Sequence, residues 1–305
     1  MSRAARYDSP GGPEVLYLAE VPAADPAPGK VAVRVAAAGL NPYDAKVRSG
    51  LIPSSASFPR RIGGDLAGTV EAVGEGALFW DGTPIRVGDE VLGRAPGAIA
   101  ERAIAAASAL TRRPTELPVE VAGSLHTAGL TAVSVLTTVP VGEGDVVLMG
   151  GATGAVGLIA AQLARRAGAR VIGTASERGH SLLRSLGVDP VVHGDDLSTR
   201  VAAVGAVTAV FDCHGRDALD AGLALGVAPD RMVGIAASDD VLAQLGARPV
   251  EHAARTAANL AALAADLADG QLVLPIASTF PLDAVVDAFR ALDAPHPPGK
   301  VVILS

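Results

Sequence analysis

The chain has 305 residues, half of them hydrophobic and 19% charged, with 25 basic against 32 acidic side chains and a formal charge of −7. A chain of this length buries roughly 75% of its unfolded surface without staples, and its one cysteine, Cys213, can neither close an internal disulfide nor build a thiolate zinc cluster. Its 35 glycines and 21 prolines fall short of a disordered or collagen-like composition, and its basic residues never run longer than a pair, so the basic face that nucleic acid requires is not expected.

The opening MSRAARYDSPGGPEVL lacks the apolar core of a secretory signal, and with a single cysteine this predicts a reducing, cytoplasmic setting. Residues 31–39, VAVRVAAAG, alternate so that Val31, Val33 and Val35 share one face. With residues 69–74 and 85–92, read as short strands punctuated by glycines, they predict an antiparallel, barrel-like unit. Residues 121–142 and 146–164 are uncharged and long enough to span a bilayer, but the first carries Thr, Ser and Pro140 and the second is interrupted by four glycines, so no membrane partner is expected.

From residue 145 onward, strand-length apolar runs (146–149, 170–174, 190–192, 209–211, 232–235) alternate with helical stretches (155–167, 178–186), which predicts a parallel sheet with crossover helices. The first of these helices closes with Arg165-Arg166 and Gly168, suited to the negative end of its dipole and to a left-handed cap. An alanine-rich helix is expected over 253–268, an amphipathic one within PLDAVVDAFRALD, and a closing strand in GKVVILS. No repeat or long linker separates the two units.

The segment Asp145-Val-Val-Leu-Met-Gly-Gly-Ala-Thr-Gly-Ala-Val-Gly157 carries the strongest chemical signal. A strand enters a turn containing Gly151, Thr153 and Gly154, and a helix leaves it through Ala155, Val156 and Gly157. Backbone can there approach a pyrophosphate at the helix N-terminus. A second strand follows at the required distance, which is the context that turns loose glycine spacing into a dinucleotide site. That strand ends Thr174-Ala175-Ser176, without the acidic residue that would hold a ribose 2′-hydroxyl. Ser176 can donate to a 2′-phosphate and Arg178 can supply charge, which favours NADPH; Glu177 could instead turn toward the ribose, and Arg178 could be a solvated first-turn side chain.

Taken with Gly39-Leu-Asn-Pro-Tyr-Asp-Ala-Lys-Val-Arg-Ser-Gly50, Gly63-Gly-Asp-Leu-Ala-Gly-Thr-Val-Glu-Ala-Val-Gly74, Val87-Gly-Asp-Glu-Val-Leu-Gly93, Ala128-Gly-Leu-Thr-Ala132, Val210-Phe-Asp212, Pro281-Leu-Asp-Ala-Val and Gly299-Lys-Val-Val302, the chain resembles the medium-chain dehydrogenase/reductase superfamily, in its zinc-free quinone oxidoreductase branch. The resemblance spans nearly the whole chain. It implies an α/β fold: a GroES-like β-barrel catalytic domain over residues 1–122, completed by 266–305, and a Rossmann-type nucleotide domain over 123–265. In zinc-dependent relatives the metal ligands stand at positions matching Asn41, Gly64 and Thr127, none of which binds zinc as a Cys or His would. The implied activity is hydride transfer from NADPH to a quinone or α,β-unsaturated carbonyl, with a small electrophile as substrate and a homodimer as the assembly.

For side chains, the resemblance makes Asn41 the first candidate to hold the acceptor or the ribose, and puts Thr131 beside the nicotinamide. Tyr43 is a proton donor to an enolate or a binding wall. Lys46 orients a polar substrate or is simply solvated, and His126 is the acid–base candidate as the imidazole beside the former ligand position Thr127. Asp44 is expected to cap the turn it opens, Asp65 to make a structural bond at the cleft, Cys213 and His214 to line the adenine pocket, and Lys300 to be a surface or interdomain residue. The chain departs from the branch at Lys46 and Ile52, where quinone reductases often carry tyrosines, and at Gly194, where a tyrosine touches the cofactor. Its short loops favour a bulky acceptor. Two rivals remain: an enone or enoyl-thioester reductase serving one biosynthetic scaffold, and a catalytically silent NADPH-binding protein.

Overall fold

The computed structural model describes residues 1–305. The first lobe runs through β1 (Ser2–Tyr7), β2 (Tyr17–Val21), β3 (Lys30–Gly39), α1 (Pro42–Ser49), β4 (Arg60–Arg61), β5 (Asp65–Val73), β6 (Glu90–Arg94), β7 (Arg102–Ala106) and β8 (Leu110–Arg112). β3 is long enough to serve β5 along most of its length and β7 at its start, both antiparallel. Val31, Val33 and Val35 enter one core together and Arg34 stays outside. Ala32 is buried as well, so β3 is covered on both faces; each buried valine contributes about 1.5–3 kcal/mol.

Helices α2 (Val119–Ala122) and α3 (Leu125–Thr138) lead into the second lobe, which alternates β9 (Val146–Gly150), α4 (Ala155–Arg166), β10 (Arg170–Ala175), α5 (His180–Ser185), β11 (Asp189–Val192), α6 (Leu197–Ala202), β12 (Ala209–Asp212), α7 (Asp217–Ala224), β13 (Met232–Gly234), α8 (Asp239–Leu245), β14 (Arg248–Pro249) and α9 (Ala257–Ala268). Its six parallel strands lie in the order β11-β10-β9-β12-β13-β14, a Rossmann-type arrangement. The chain moves outward from β9 on one side and then crosses to β12 on the other. The crevice past the C-terminal end of β9 is therefore the topological switch point, where such sheets bind ligands.

The chain then returns to the first lobe. β15 (Ile276–Pro281), α10 (Val285–Asp293) and β16 (Lys300–Leu304) complete a seven-stranded sheet in which β16 lies parallel to β15 and antiparallel to the end of β3. One apolar cluster joins the lobes: Ala67 and Leu92 of the barrel pack with Leu125, Ala128, Met149 and Leu260. No helix is long and apolar enough to cross a membrane.

Three local expectations shift. Residues 85–92 do not form one strand: pairing starts at Glu90, because Gly88 (φ +93°) makes a turn in which Asp89 accepts from the Arg86 amide at 2.8 Å. The alanine-rich helix starts at Ala257, not 253, because Thr256 caps it, its hydroxyl accepting from Asn259 N at 3.2 Å. The segment after Ser176 opens with a 3₁₀ turn (Glu177–Gly179) before α5.

Candidate active site between the two lobes

The glycine turn is built almost wholly of backbone. Gly151 takes a left-handed conformation (φ +65°), and a Cβ there would meet His214 Cβ at 2.8 Å. A Cβ on Gly157 would stand 2.3 Å from the Gly151 carbonyl oxygen, so the helix could not sit this close to the turn with any side chain at that position. Two residues of neighbouring strands hold the turn. Thr174, near the end of β10, accepts from Gly151 N at its hydroxyl (2.9 Å) and from Ala152 N at its carbonyl (3.0 Å). Asp212, buried at the end of β12, accepts from His214 N and Gly215 N (both 2.9 Å) and Ala218 N (3.1 Å), fixing the loop that carries His214 against Gly151. Neither residue was singled out from the sequence for this task.

The first intrahelical bond of α4 is Leu158 N to Gly154 O at 2.8 Å, and no side chain caps the helix. The amides of Ala155, Val156 and Gly157 are therefore uncommitted and point along the positive end of the helix dipole, the donor set a pyrophosphate needs. Ser176, Glu177 and Arg178 lie exposed where β10 ends, and Thr153 packs against Gly179 of the same turn. The residues present fit a bound dinucleotide.

The second part of the site is a dry, charged seam. Asn41 ends the β3–α1 connection, with its amide N–H donating to Asp44 Oδ2 at 2.9 Å. Its side chain donates from Nδ2 to Asp65 Oδ2 (3.1 Å) and accepts at Oδ1 from Lys300 Nζ (2.7 Å). Lys300 also donates to Leu40 O at 2.6 Å. Asp65 takes two further bonds from Thr127, amide at 3.0 Å and hydroxyl at 2.5 Å, while His126 Nδ1 stands 3.6 Å away, too far for a hydrogen bond. With a cation on one side and a carboxylate on the other, the Asn41 amide has one orientation only.

Burial raises Asp44, with the neighbouring Asp65 charge adding to it, to about 7. For Asp65 burial works upward too, but His126, Lys300 and Thr127 outweigh it and hold the carboxyl below its usual range. Burial lowers the Lys300 ammonium against the opposing pull of Asp65 and Asp44.

Of the two expectations for Lys300, surface or interdomain, the first fails: it is 4% exposed, because β16 enters the sheet beside β3 and brings the ammonium against the seam. Asp44 and Asp65 make the bonds expected of them. Tyr43 is 54% exposed, and neither it nor Lys46 on the same helix makes a side-chain hydrogen bond or ion pair, so the structure does not draw them into the network. His126 is 19% exposed at the seam's edge. Thr131 is buried, donates to Thr127 O at 2.7 Å and accepts from Arg255 at 3.0 Å. Burial, then the Asp212 charge, pushes the Cys213 thiol up, away from thiolate chemistry.

The residues do not fit a zinc ion. No three His, Cys, Asp or Glu side chains are arranged to hold a metal ion, and Asn41, Gly64 and Thr127 offer no thiolate or imidazole.

Residues 27–131 match the family described as alcohol dehydrogenase GroES-like domain, and residues 186–303 the one described as zinc-binding dehydrogenase. A quinone oxidoreductase of Homo sapiens is 34% identical over 196 residues, covering 63% of this chain and 58% of its own length, so the match spans less than two thirds of that relative. The solved structure of a mycobacterial quinone oxidoreductase covers 100% of both chains at 31% identity and a TM-score of 0.83. An Escherichia coli quinone oxidoreductase complexed with NADPH covers 99% of this chain and 100% of its own, at 27% identity and a TM-score of 0.86.

Proposed function

The chain belongs to the quinone oxidoreductase-like branch of the medium-chain dehydrogenase/reductase superfamily, and from that premise we propose that it is a zinc-independent reductase of quinones or α,β-unsaturated carbonyls. NADPH, when bound, supplies the hydride; the protein's task is to hold, orient and polarise. The Ala155, Val156 and Gly157 amides take the pyrophosphate beside Gly151, Thr153 and Gly154, with His214 on the adenine side. Ser176 and Arg178 take the 2′-phosphate, and Thr131 lies along the nicotinamide. Residues 123–265 act as the nucleotide domain, and residues 1–122 with 266–305 as the catalytic one.

The observation that carries the reading is the Asn41 amide, fixed in one orientation by Lys300 and Asp65 at the crevice. That amide is the donor to the acceptor's carbonyl oxygen as negative charge develops there. His126, at the edge of the seam, is the proton donor to the resulting enolate; Tyr43 and Lys46 form the mouth. The resemblance also points to a cytoplasmic homodimer paired through an edge strand of the six-stranded sheet, checked by light scattering and cell fractionation.

Fluorescence titration with NADPH and NADH, followed by cofactor consumption over quinones, enones, aldehydes and enoyl thioesters, tests this. We expect NADPH to bind at least about tenfold more tightly than NADH and to be oxidised by quinones or enones without added metal. Turnover confined to thioesters would move the assignment to the enoyl-thioester class, and tight binding with no oxidation by any acceptor would overturn it.

A further inference from the structure

Two exposed arginines come from opposite lobes to the surroundings of Asp65, and neither forms an ion pair. Arg94 ends β6 directly across the strand pair from Asp65, and Arg255 comes from the turn before α9. Residues directly opposite in an antiparallel pair share a face, so Arg94 and Asp65 are placed to form an ion pair. They do not, because the Asp65 oxygens are committed to Thr127 and Asn41. The Arg94 head lies instead over Gly64, its Nε 3.8 Å from where a Cβ there would be.

The Arg255 guanidinium makes a single hydrogen bond, from Nη2 to Thr131 Oγ1 at 3.0 Å. Neither Arg94 nor Arg255 forms an ion pair with a carboxylate, and these two come from opposite lobes onto the surroundings of one buried carboxylate, Asp65. Partial burial, and then the Arg94 charge, lowers the Arg255 guanidinium, which places the two cations within electrostatic reach of each other across the crevice.

Arg255 is also tied to the seam through one chain of bonds. It donates to Thr131, Thr131 donates to Thr127 O, Thr127 donates to Asp65, and Asp65 accepts from Asn41. A paired guanidinium fork suits a carboxylate or phosphate, whose charge would relieve the repulsion.

We propose that Arg94 and Arg255 form a subsite for an anionic substituent of the acceptor, a carboxylate or phosphate, held at one end of this chain while Asn41 holds the reducible carbonyl at the other. The proposal rests on the reductase reading and narrows its substrates to acidic electrophiles. In a protein of net charge −7, a locally positive cleft would select such acceptors against the overall repulsion.

The test compares kcat/KM for an enone carboxylate and its methyl ester in the wild type, Arg94→Gln, Arg255→Gln and the double variant. The expected wild-type preference for the acid is at least about tenfold, carried mainly by KM, shrinking as salt is raised and falling toward unity in each variant. Equal turnover of acid and ester by the wild type would overturn the proposal. So would variants that lose NADPH affinity in a fluorescence titration while keeping the acid-to-ester ratio, since the anion would then be a cofactor phosphate. If no acceptor is reduced, the reductase reading fails by itself, and calorimetry with the saturated keto acid and NADPH-loaded protein still decides the subsite. Weaker binding in both variants supports it; no binding by the wild type overturns it.

Discussion

The glycine turn and the charged seam face the same crevice but are made of opposite materials. The turn is backbone throughout, and the charges it needs come from peptide dipoles that do not titrate. The seam is built around side chains: Asn41, Asp44, Asp65 and Lys300, all buried, from three separated stretches of sequence. A fixed polyanion can be met by a fixed cradle, whereas a neutral carbonyl that gains charge during reaction calls for an oriented donor, and orienting Asn41 requires buried ions around it. The turn should therefore fail when atoms are added to it, and the seam when charges are removed or titrated.

The largest effect is expected from Lys300→Met, which leaves Asp44 and Asp65 facing each other without their cation. Thermal unfolding near neutral pH should register a loss of about 3–5 kcal/mol, and a shift of under a degree would mean that the ammonium does not balance the seam. Next comes the pH response of Asp44. Its folded pKa of about 7 exceeds the reference 3.8, so between those values the folded state binds more protons than the unfolded one, and native stability falls as pH rises through that window. Asp44→Asn removes this slope. Relative to the wild type it should gain up to about 4 kcal/mol between about pH 4 and pH 8, seen as crossing melting curves; a pH-independent difference would break the contrast between seam and turn.

Gly157→Ala tests the other side. Its methyl meets the Gly151 oxygen, so NADPH affinity should fall by at least about 100-fold, near 2.7 kcal/mol, with no pH dependence of its own. The smallest effect is expected at the exposed end of β10, where Arg178→Ala should cut the NADPH-over-NADH preference by about tenfold in the same titration. An unchanged ratio would return Arg178 to the role of a solvated side chain.

The turn was legible in the sequence because its requirements are local: a positive φ at Gly151 and a close approach at Gly157 both demand glycine within a few residues of a recognisable strand and helix. Asn41 was legible only through the resemblance, and its orientation not at all. Lys300 lies 259 positions from Asn41, and a lysine opening a terminal strand looks like a solvated one until the sheet order is known. Thr174 and Asp212 hold the turn through side-chain bonds to backbone amides that any strand-end Thr or Asp could make. Arg255 stood alone in an alanine-rich stretch, and that Arg94 reaches its neighbourhood from the other lobe shows only in the fold.

The late position of β16 also bears on how the molecule is made. Every strand of the six-stranded sheet pairs with neighbours drawn from one continuous stretch of sequence, so that unit can mature as it leaves the ribosome. The barrel starts earlier yet must wait, the end of β3 unpaired and two carboxylates lacking their cation, until the final strand emerges. The lobe translated first is thus the last to close, and in the interval it presents an open sheet edge that a growing cell would do well to have chaperoned.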